Sequence, residues 1–375
     1  MVDLWMGHFA NILGHGNEHI TKALKKAGKA GVHPGLLNSY QLQFAEMLKE
    51  AVPELELMRF TSSGTEATMY ATRAAKAYTG RDLVIKAEGG WHGGNSELSY
   101  DVKPPFNRDV IQGGTLSIPF NNIEAASEIL DNLKERAAVI VIEPMIGSGG
   151  AVPAKKEYLQ MLRKFCDETG CVLLFDEIIT GFRFRYGSVW ELFGVQPDMF
   201  TMGKVCAGGM NIGVYGGRKE IMNVITEKNL YVGGGTFSAT PLAMIAGIKT
   251  LEALEDAEYS ELNKTGDRMR EKIREIASES GLNCCVTGMG SFWFIHFLQQ
   301  GHSCHPDRPS SVLPFEDRWA SDNFKLSLIL NGVFSVHGGG ALSFMHLDKQ
   351  TESDIIQSYS EAFRMVELER KEETP

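Results

Sequence analysis

The feature of this sequence that most restricts its fold is the alternation of apolar runs with helix-like segments between about residues 55 and 250. The apolar runs are LMRFT (57–61), LVIKAE (83–88), AVIVIEPM (138–145), VLLFDEI (172–178), MFTMGK (199–204) and IGVYGG (212–217). Unbroken apolar strands that alternate with helices are typical of a mainly parallel sheet covered on both faces. We therefore predict an α/β fold built on such a sheet.

Polar motifs follow these apolar runs directly. They are SSGTEA (62–67), EP (143–144), DE (176–177) and GK (203–204). Ligands of parallel sheets bind at the carboxyl ends of the strands, which lie at one edge of the sheet. The four motifs are therefore predicted to converge on one binding site.

Composition narrows the class of ligand. The net charge is −10 and no basic run is present, which argues against nucleic acid and anionic membranes and favours small molecules. No apolar run reaches the roughly 20 residues that span a bilayer. The six cysteines are scattered, without a disulfide framework or a CxxC metal site. We predict a soluble, cytoplasmic protein.

The motif SSGTEA offers two interpretations. A strand that ends in Ser-Ser-Gly-Thr at a helix start directs free amides and the positive helix end to one point, which suits a phosphate. A Ser or Thr followed by Glu is also an ordinary helix cap. Both interpretations stay open at this stage.

Lys204 and Asp176 end two of the apolar runs, where charge is costly. A lone lysine usually extends to the surface, but a desolvated amine can form a Schiff base. A buried carboxylate requires a cation or donors. With a phosphate site nearby, the pair indicates pyridoxal phosphate, with Asp176 facing its ring nitrogen. A helix cap or a metal ligand is the lower-ranked alternative for Asp176, and we predict no metal.

Several stretches together resemble the class III aminotransferases, most closely the branch with glutamate-1-semialdehyde aminomutase and β-amino-acid aminotransferases. They are RFTSSGTEATMYATRAAKAYTGR, KAEGGWHGG, VIEPM, LLFDEIITGFRFRYG, FGVQPDMFTMGKVCAGGMNIGVYGGR and GTFSATPLAMIAGIKTLEAL. The likeness extends from about residue 3 to 365. It implies the fold type I architecture, with a mostly parallel seven-stranded sheet in the large domain and a smaller α+β domain. The implied domains are an N-terminal segment (1–45), the cofactor domain (46–250) and a C-terminal domain (251–375).

The resemblance also assigns roles to individual residues. It implies that Lys204 carries the cofactor and acts as general base, and that Asp176 is the second catalytic residue. The implied cofactor contacts are Ser63, Gly64, Thr65, Trp91, His92, Glu143, Asp176, Ile178, Lys204 and Thr236. Among these, Ile178 and Trp91 would pack on the two ring faces. Thr236 would reach the phosphate of a neighbouring subunit, which implies a homodimer with the active site at its interface.

Substrate recognition is less constrained. His8 and His337 are candidate substrate contacts, although a surface-loop histidine is the common case for His337. Ser148 stands where the aminomutases have Asn, and this favours a two-substrate aminotransferase that works by a ping-pong mechanism between an amino donor and a carbonyl acceptor. The intramolecular aminomutase is the alternative, and a non-catalytic binding protein with this fold is a second one.

Overall fold

The computed structural model describes residues 1–29, 31–33, 35–102, 114–230 and 235–373. The chain divides into two compact units. The larger unit comprises residues 16–148 and 154–257, and the smaller unit comprises residues 1–15, 149–153 and 258–375. The predicted boundary at residue 45 differs from this division. Residues 16–45 group with the larger unit because the helix Glu18–Gly28 packs on the helix Pro241–Glu255.

A seven-stranded sheet forms the centre of the larger unit, as predicted. Its spatial order is Leu57–Thr61, Gly213–Gly217, Met199–Gly203, Val172–Glu177, Ala137–Ile142, Leu83–Ala87 and Thr115–Ile118. Only Gly213–Gly217 runs antiparallel to its neighbours. Every residue of Ala137–Ile142 is buried, which explains the unbroken apolar runs of the sequence.

Helices join these strands. They are Glu18–Gly28, Ser39–Ala51, Gly64–Thr79, Ile123–Asp131, Lys156–Thr169, Trp190–Phe193, Lys219–Glu227 and Pro241–Glu255. Asparagine or serine side chains cap several of their first turns, and the helices that end at Gly80 and Gly170 use these glycines in left-handed backbone conformation. This unit also contains the short 3-10 turn Lys204–Ala207 and the two-residue strand Met145–Ile146.

The smaller unit contains an antiparallel three-stranded sheet of Cys284–Met289, Phe292–Phe297 and Gly340–Ala341. Its long helices are Tyr259–Glu279, Arg318–Leu330 and Lys349–Glu373. A second pair joins Val2–Asp3 to Val333–Phe334 in parallel. Val152–Pro153 and the short helical turns Met6–Phe9, Pro309–Ser311, Leu313–Phe315 and Phe344–His346 complete the unit.

Two sequence expectations need correction. The sequence of residues 251–280 predicts one long helix, but the structure divides it into the end of Pro241–Glu255 and the whole of Tyr259–Glu279, because the backbone leaves helical geometry at Glu258 (φ −77°, ψ 64°). Cys285 and Cys304 form a disulfide with Cα atoms 6.2 Å apart, although no disulfide was expected from the spacing. Among the described residues, no helix is both long and apolar enough to cross a membrane.

Candidate active site

The predicted motifs meet at one edge of the large sheet. Asp176 lies at the end of Val172–Glu177, and Lys204 follows the neighbouring parallel strand Met199–Gly203. Asp176 is paired in register with Thr201. Because parallel strands place their carboxyl ends at the same edge of the sheet, motifs that directly follow such strands lie close together in space.

Asp176 is buried and is held by three donors. Thr201 Oγ1 donates to its Oδ1 over 2.9 Å and the Ile178 amide donates over 3.1 Å. His92 Nδ1 lies 2.8 Å from Oδ2. An ionised carboxylate only accepts, so Nδ1 carries the proton of this bond. These donors offset the cost of burying the carboxylate.

The imidazole of His92 is fully buried behind this bond. Burial lowers the pKa of His92, and the bond to Asp176 opposes that shift. The ring is therefore neutral at neutral pH, with its proton on Nδ1. Its Nε2 is buried and has no hydrogen-bond partner among the described residues. Gly90 lies beside this atom, since a Cβ at position 90 would stand 2.8 Å from Nε2.

Lys204 begins a short 3-10 turn in a strained backbone conformation, with φ at +42°. Burial lowers the pKa of the Lys204 ammonium, while the charges of Asp176 and Glu143 oppose the shift. Strained non-glycine residues concentrate at functional sites. A lysine with a depressed pKa has a larger share of neutral amine, the form that acts as nucleophile and base.

Glu143 is the second buried carboxylate of the site. The Trp91 amide donates to its Oε1 over 2.9 Å, and the Gly147 amide donates to its Oε2 over 3.0 Å. Burial raises the pKa of Glu143, and the charge of Asp176 adds to this effect. Glu143 thus links the end of its own strand to the segment that carries Trp91.

Glu177, the second residue of the DE motif, makes a separate set of contacts. It is fully buried and accepts hydrogen bonds from Ser188 Oγ and, over 3.0 Å, from the Val189 amide. Burial raises its pKa to about 7. The two adjacent carboxylates therefore differ in their partners, because consecutive strand residues point to opposite faces.

The start of the helix Gly64–Thr79 shows the ordinary cap that the sequence allowed. Ser63 Oγ accepts from the Glu66 amide, and the Glu66 carboxylate accepts from the Ser62 amide and from Ser63 Oγ. Thr65 Oγ1 accepts from the Gly94 amide over 3.2 Å. The first amides of a helix have no intrahelical acceptor, so the cap does not use up the donors at Gly64 and Thr65.

Ile178 packs between two glycines of this edge. A Cβ on Gly64 would stand 3.0 Å from Ile178 Cδ1, and a Cβ on Gly203 would stand 3.1 Å from the same atom. Trp91 is 40% exposed, a large exposed fraction for an indole. Thr236 is exposed on the single chain.

The residues of this edge fit the predicted cofactor. Each carboxylate oxygen can accept two hydrogen bonds, and the described donors to Asp176 leave one of four positions open. Gly64 and Gly203 let Ile178 lie against this edge, where a side chain at either position would displace it. The unpartnered His92 Nε2 is a further buried polar atom of the site. Within the described ranges, no group of three or more metal-ligating side chains is present.

His8 and His337 belong to the smaller unit and contact the same indole. Their ring centroids lie 4.3 Å and 5.5 Å from that of Trp5. His337 is half-buried and also packs on Phe294, so it is not a surface-loop histidine. His8 lies in a left-handed turn, with φ at +57°. Their role in substrate binding remains a prediction.

Two residues of the larger unit were missed by sequence reasoning. Thr201 donates to Asp176, and the available signal was a hydroxyl residue inside the apolar run MFTMGK, three positions before Lys204. Lys86 is fully buried in Leu83–Ala87 and bonds to backbone carbonyls at both ends of the segment 88–102. A lysine inside an apolar strand was the available signal, since lysine is almost never buried without partners.

Comparison with known proteins identifies the family. The family model described as Aminotransferase class-III matches residues 1–308. The glutamate-1-semialdehyde 2,1-aminomutase of Chloroherpeton thalassium is 36% identical over 369 residues, 93% of this chain and 83% of the relative. The enzyme of the same name from Persephonella marina is 37% identical over 364 residues, 92% and 82% of the two chains.

Solved structures agree in fold. An omega-transaminase from Sphaerobacter thermophilus has a TM-score of 0.87 at 30% identity and covers 97% of this chain and 86% of its own. A glutamate-1-semialdehyde-aminomutase from Pseudomonas aeruginosa has a TM-score of 0.84 at 21% identity, with 97% and 84% covered. The predicted fold, the prediction of an enzyme and the predicted pyridoxal phosphate are confirmed: the chain belongs to the class III aminotransferase family.

Proposed function

We propose that this protein moves an amino group within one substrate, as a glutamate-1-semialdehyde 2,1-aminomutase, with pyridoxal phosphate bound through Lys204. The observation that carries the chemistry is the half-buried Lys204, which follows the strand paired with that of Asp176 and interacts electrostatically with Asp176 and Glu143. The choice of an aminomutase is supported by the names of curated relatives that are 36–37% identical over more than 90% of the chain. This reverses the preference that sequence reasoning gave to the two-substrate reaction.

We assign the cofactor's contacts to the residues at the sheet edge. Ser63, Gly64 and Thr65 would hold the phosphate at the helix start, where free amides and the positive helix end favour an anion. Asp176 would hold the ring nitrogen. When bound, pyridoxal phosphate supplies an aldehyde that condenses with amines and a ring that accepts an electron pair.

The aromatic and aliphatic side chains of the site would enclose the ring. Ile178, supported by the glycines at 64 and 203, would pack on one face, and Trp91 would cover the other. His92 would orient Asp176 through the 2.8 Å contact and keep the carboxylate away from water. Glu143 would hold the Trp91 backbone in place through the amide bond.

Lys204 would also move the proton. Its Nζ, once released from the cofactor, would take a proton from the substrate carbon and deliver it to the aldehyde carbon of the cofactor, as the transfer of the amino group requires. Burial favours this role because it lowers the pKa of the ammonium, which leaves more neutral amine at neutral pH. The position of Lys204 at the strand end therefore favours the neutral amine that the proton transfer requires.

A second candidate is transamination between two substrates. Ser148 stands where the resembling aminomutases have Asn, and a shorter side chain reaches a ring substituent only through water. The omega-transaminase neighbour at 30% identity supports the same reaction class. We also propose a homodimer in which the exposed Thr236 reaches the partner's phosphate site, and His8 and His337 as substrate contacts. The cytoplasmic location stays a prediction.

The two reactions separate in an assay without added amino donor. Protein loaded with pyridoxal phosphate is incubated with glutamate-1-semialdehyde, and the isomer with the amino group on carbon 1 is quantified. Formation of the isomer supports the aminomutase. Turnover only after addition of a second amino donor or acceptor, tested as a panel, contradicts it and supports transamination.

Lys204→Ala tests the shared chemistry. We expect a loss of turnover of about 10³-fold or more, the scale of a missing general base and nucleophile. Reduction with borohydride should fix the cofactor covalently at position 204 in the wild type only. Mass analysis of the peptides then locates the attached group. Lys164→Ala, at an exposed position, is the control. Wild-type turnover by Lys204→Ala would contradict the assignment.

A further inference from the structure

Lys86 occupies an unusual place for a lysine. It lies in the strand Leu83–Ala87, whose five residues are all buried, between the parallel neighbours Ala137–Ile142 and Thr115–Ile118. Its side chain is among the largest fully buried ones of the chain. A buried ammonium requires acceptors for its three N–H groups.

The acceptors of Lys86 are backbone carbonyls from two ends of one segment. Nζ donates to Gly90 O over 2.9 Å, to Asp101 O over 3.3 Å, and to Tyr100 O. The Asp101 carboxylate itself accepts from Ser117 Oγ. The ammonium therefore draws together the beginning and the end of the segment 88–102, an excursion that starts directly after the strand.

This segment carries two groups of the candidate site. The Trp91 amide donates to Glu143, and His92 contacts Asp176. The segment is also joined to the helix Gly64–Thr79, since Thr68 Oγ1 donates to His92 O over 2.7 Å. Gly93, with φ at +83°, allows close approach to Thr65, which a Cβ would meet at 2.3 Å.

The two ends of the segment 88–102 are also joined by a backbone hydrogen bond. Gly89 N donates to Asp101 O over 3.0 Å. Hydrogen bonds from a charged donor are about twice as strong as neutral ones. The ammonium thus adds charge-assisted hydrogen bonds to the backbone bond that joins the two ends.

We propose that Lys86 is a positioning residue that holds the Trp91–His92 segment against Glu143 and Asp176 and thereby sets the affinity and the absorption properties of the bound cofactor. The inference rests on the proposed cofactor roles of Trp91, His92 and Asp176. It adds a residue that touches neither substrate nor cofactor and acts through the backbone that it binds.

The test compares Lys86→Met with Lys164→Met, a substitution of an exposed lysine in the same unit. Three quantities are measured on the full chain: the dissociation constant for pyridoxal phosphate, the pH at which the visible absorption band of the bound cofactor changes, and hydrogen exchange of residues 88–102. We expect Lys86→Met to weaken cofactor binding about tenfold or more, because charge-assisted hydrogen bonds are lost. The band's transition pH should shift and exchange in 88–102 should accelerate, while Lys164→Met matches the wild type.

Other outcomes overturn the inference. If Lys86→Met lowers only the melting temperature and leaves the dissociation constant and the band unchanged, Lys86 has a purely structural role. If Lys86→Met does not fold, Lys86→Gln, which keeps a neutral donor, is measured in the same way. Failure of both variants to fold makes Lys86 a requirement of the fold and refutes the positioning role. If the wild type binds no cofactor at Lys204, the proposed function fails first.

Discussion

The contact of Ile178 with Gly64 allows a sharp test of the site. In Gly64→Ala, the new Cβ would lie 3.0, 3.2 and 3.3 Å from the Cδ1, Cγ1 and Cγ2 atoms of Ile178. Carbon atoms are at their optimal separation at about 3.5–4.0 Å. The φ of Gly64 is outside the left-handed region, so alanine adds no backbone strain. The whole effect must come from displacing Ile178.

The expected magnitude follows from two opposing terms. Overpacking of a filled site costs about 1–3 kcal/mol. Replacing a glycine by alanine at a permitted conformation stabilises the folded state by about 0.4–1 kcal/mol through the unfolded chain. We expect Gly64→Ala to lower the free energy of unfolding of the cofactor-free protein by about 1–2 kcal/mol. A displaced Ile178 should also weaken pyridoxal phosphate binding roughly tenfold, which corresponds to about 1.4 kcal/mol.

Gly94→Ala provides the matched control. A Cβ at position 94 would meet no atom within 4 Å, and the Gly94 amide would still donate to Thr65 Oγ1. Chemical denaturation of the cofactor-free variants and titration with pyridoxal phosphate, followed by absorption, give both quantities. Equal cofactor affinities for Gly64→Ala and Gly94→Ala would refute the role of Ile178 at the cofactor ring.

Two further substitutions test the buried carboxylates. Thr201→Val removes a donor of Asp176 and should lower the free energy of unfolding by about 1–3 kcal/mol. The control Thr180→Val should not, because the buried Thr180 hydroxyl has no partner among the described residues. Equal losses of stability in denaturation curves of the two variants would contradict this. Burial raises the pKa of Glu177 to about 7, so between pH 4.5 and 7 the folded state keeps a proton that the unfolded state has lost. Stability should therefore fall by up to about 3 kcal/mol as pH rises through this window. Glu177→Gln should reduce this slope in denaturation curves recorded across the window, while Glu143, whose pKa burial also raises, keeps a part of it. An unchanged slope would assign it wholly to other groups.

The sheet could be predicted from the sequence because its pattern is local. The apolar run AVIVIEPM contains most of the strand Ala137–Ile142, all of whose residues are buried, and MFTMGK contains the strand Met199–Gly203 followed by Lys204. Burial on both faces selects apolar residues at consecutive positions, so the signal needs no knowledge of neighbours. The convergence of Lys204 and Asp176 followed from the rule that parallel strands end at one edge.

Other features depend on contacts between distant positions. The helix break at residues 256–258 was not visible because these residues, Asp256, Ala257 and Glu258, include no Pro or Gly that would signal it. The pairing of Cys285 with Cys304 requires a loop to return beside its strand. Lys86 looked like an irregularity in an apolar run until the carbonyls of Gly90 and Tyr100 were seen around its ammonium.

The sequence alone predicted the class of fold, the family and the residues to which we assign the chemistry, since residue types and strand periodicity are written along the chain. Only the tertiary structure decided how those residues are supported. The partners of Asp176, Glu143 and Lys86 lie up to 84 positions away along the chain, as His92 does from Asp176. The free energy of a buried charge depends on its donors and acceptors within about 3 Å, and that neighbourhood exists only after folding.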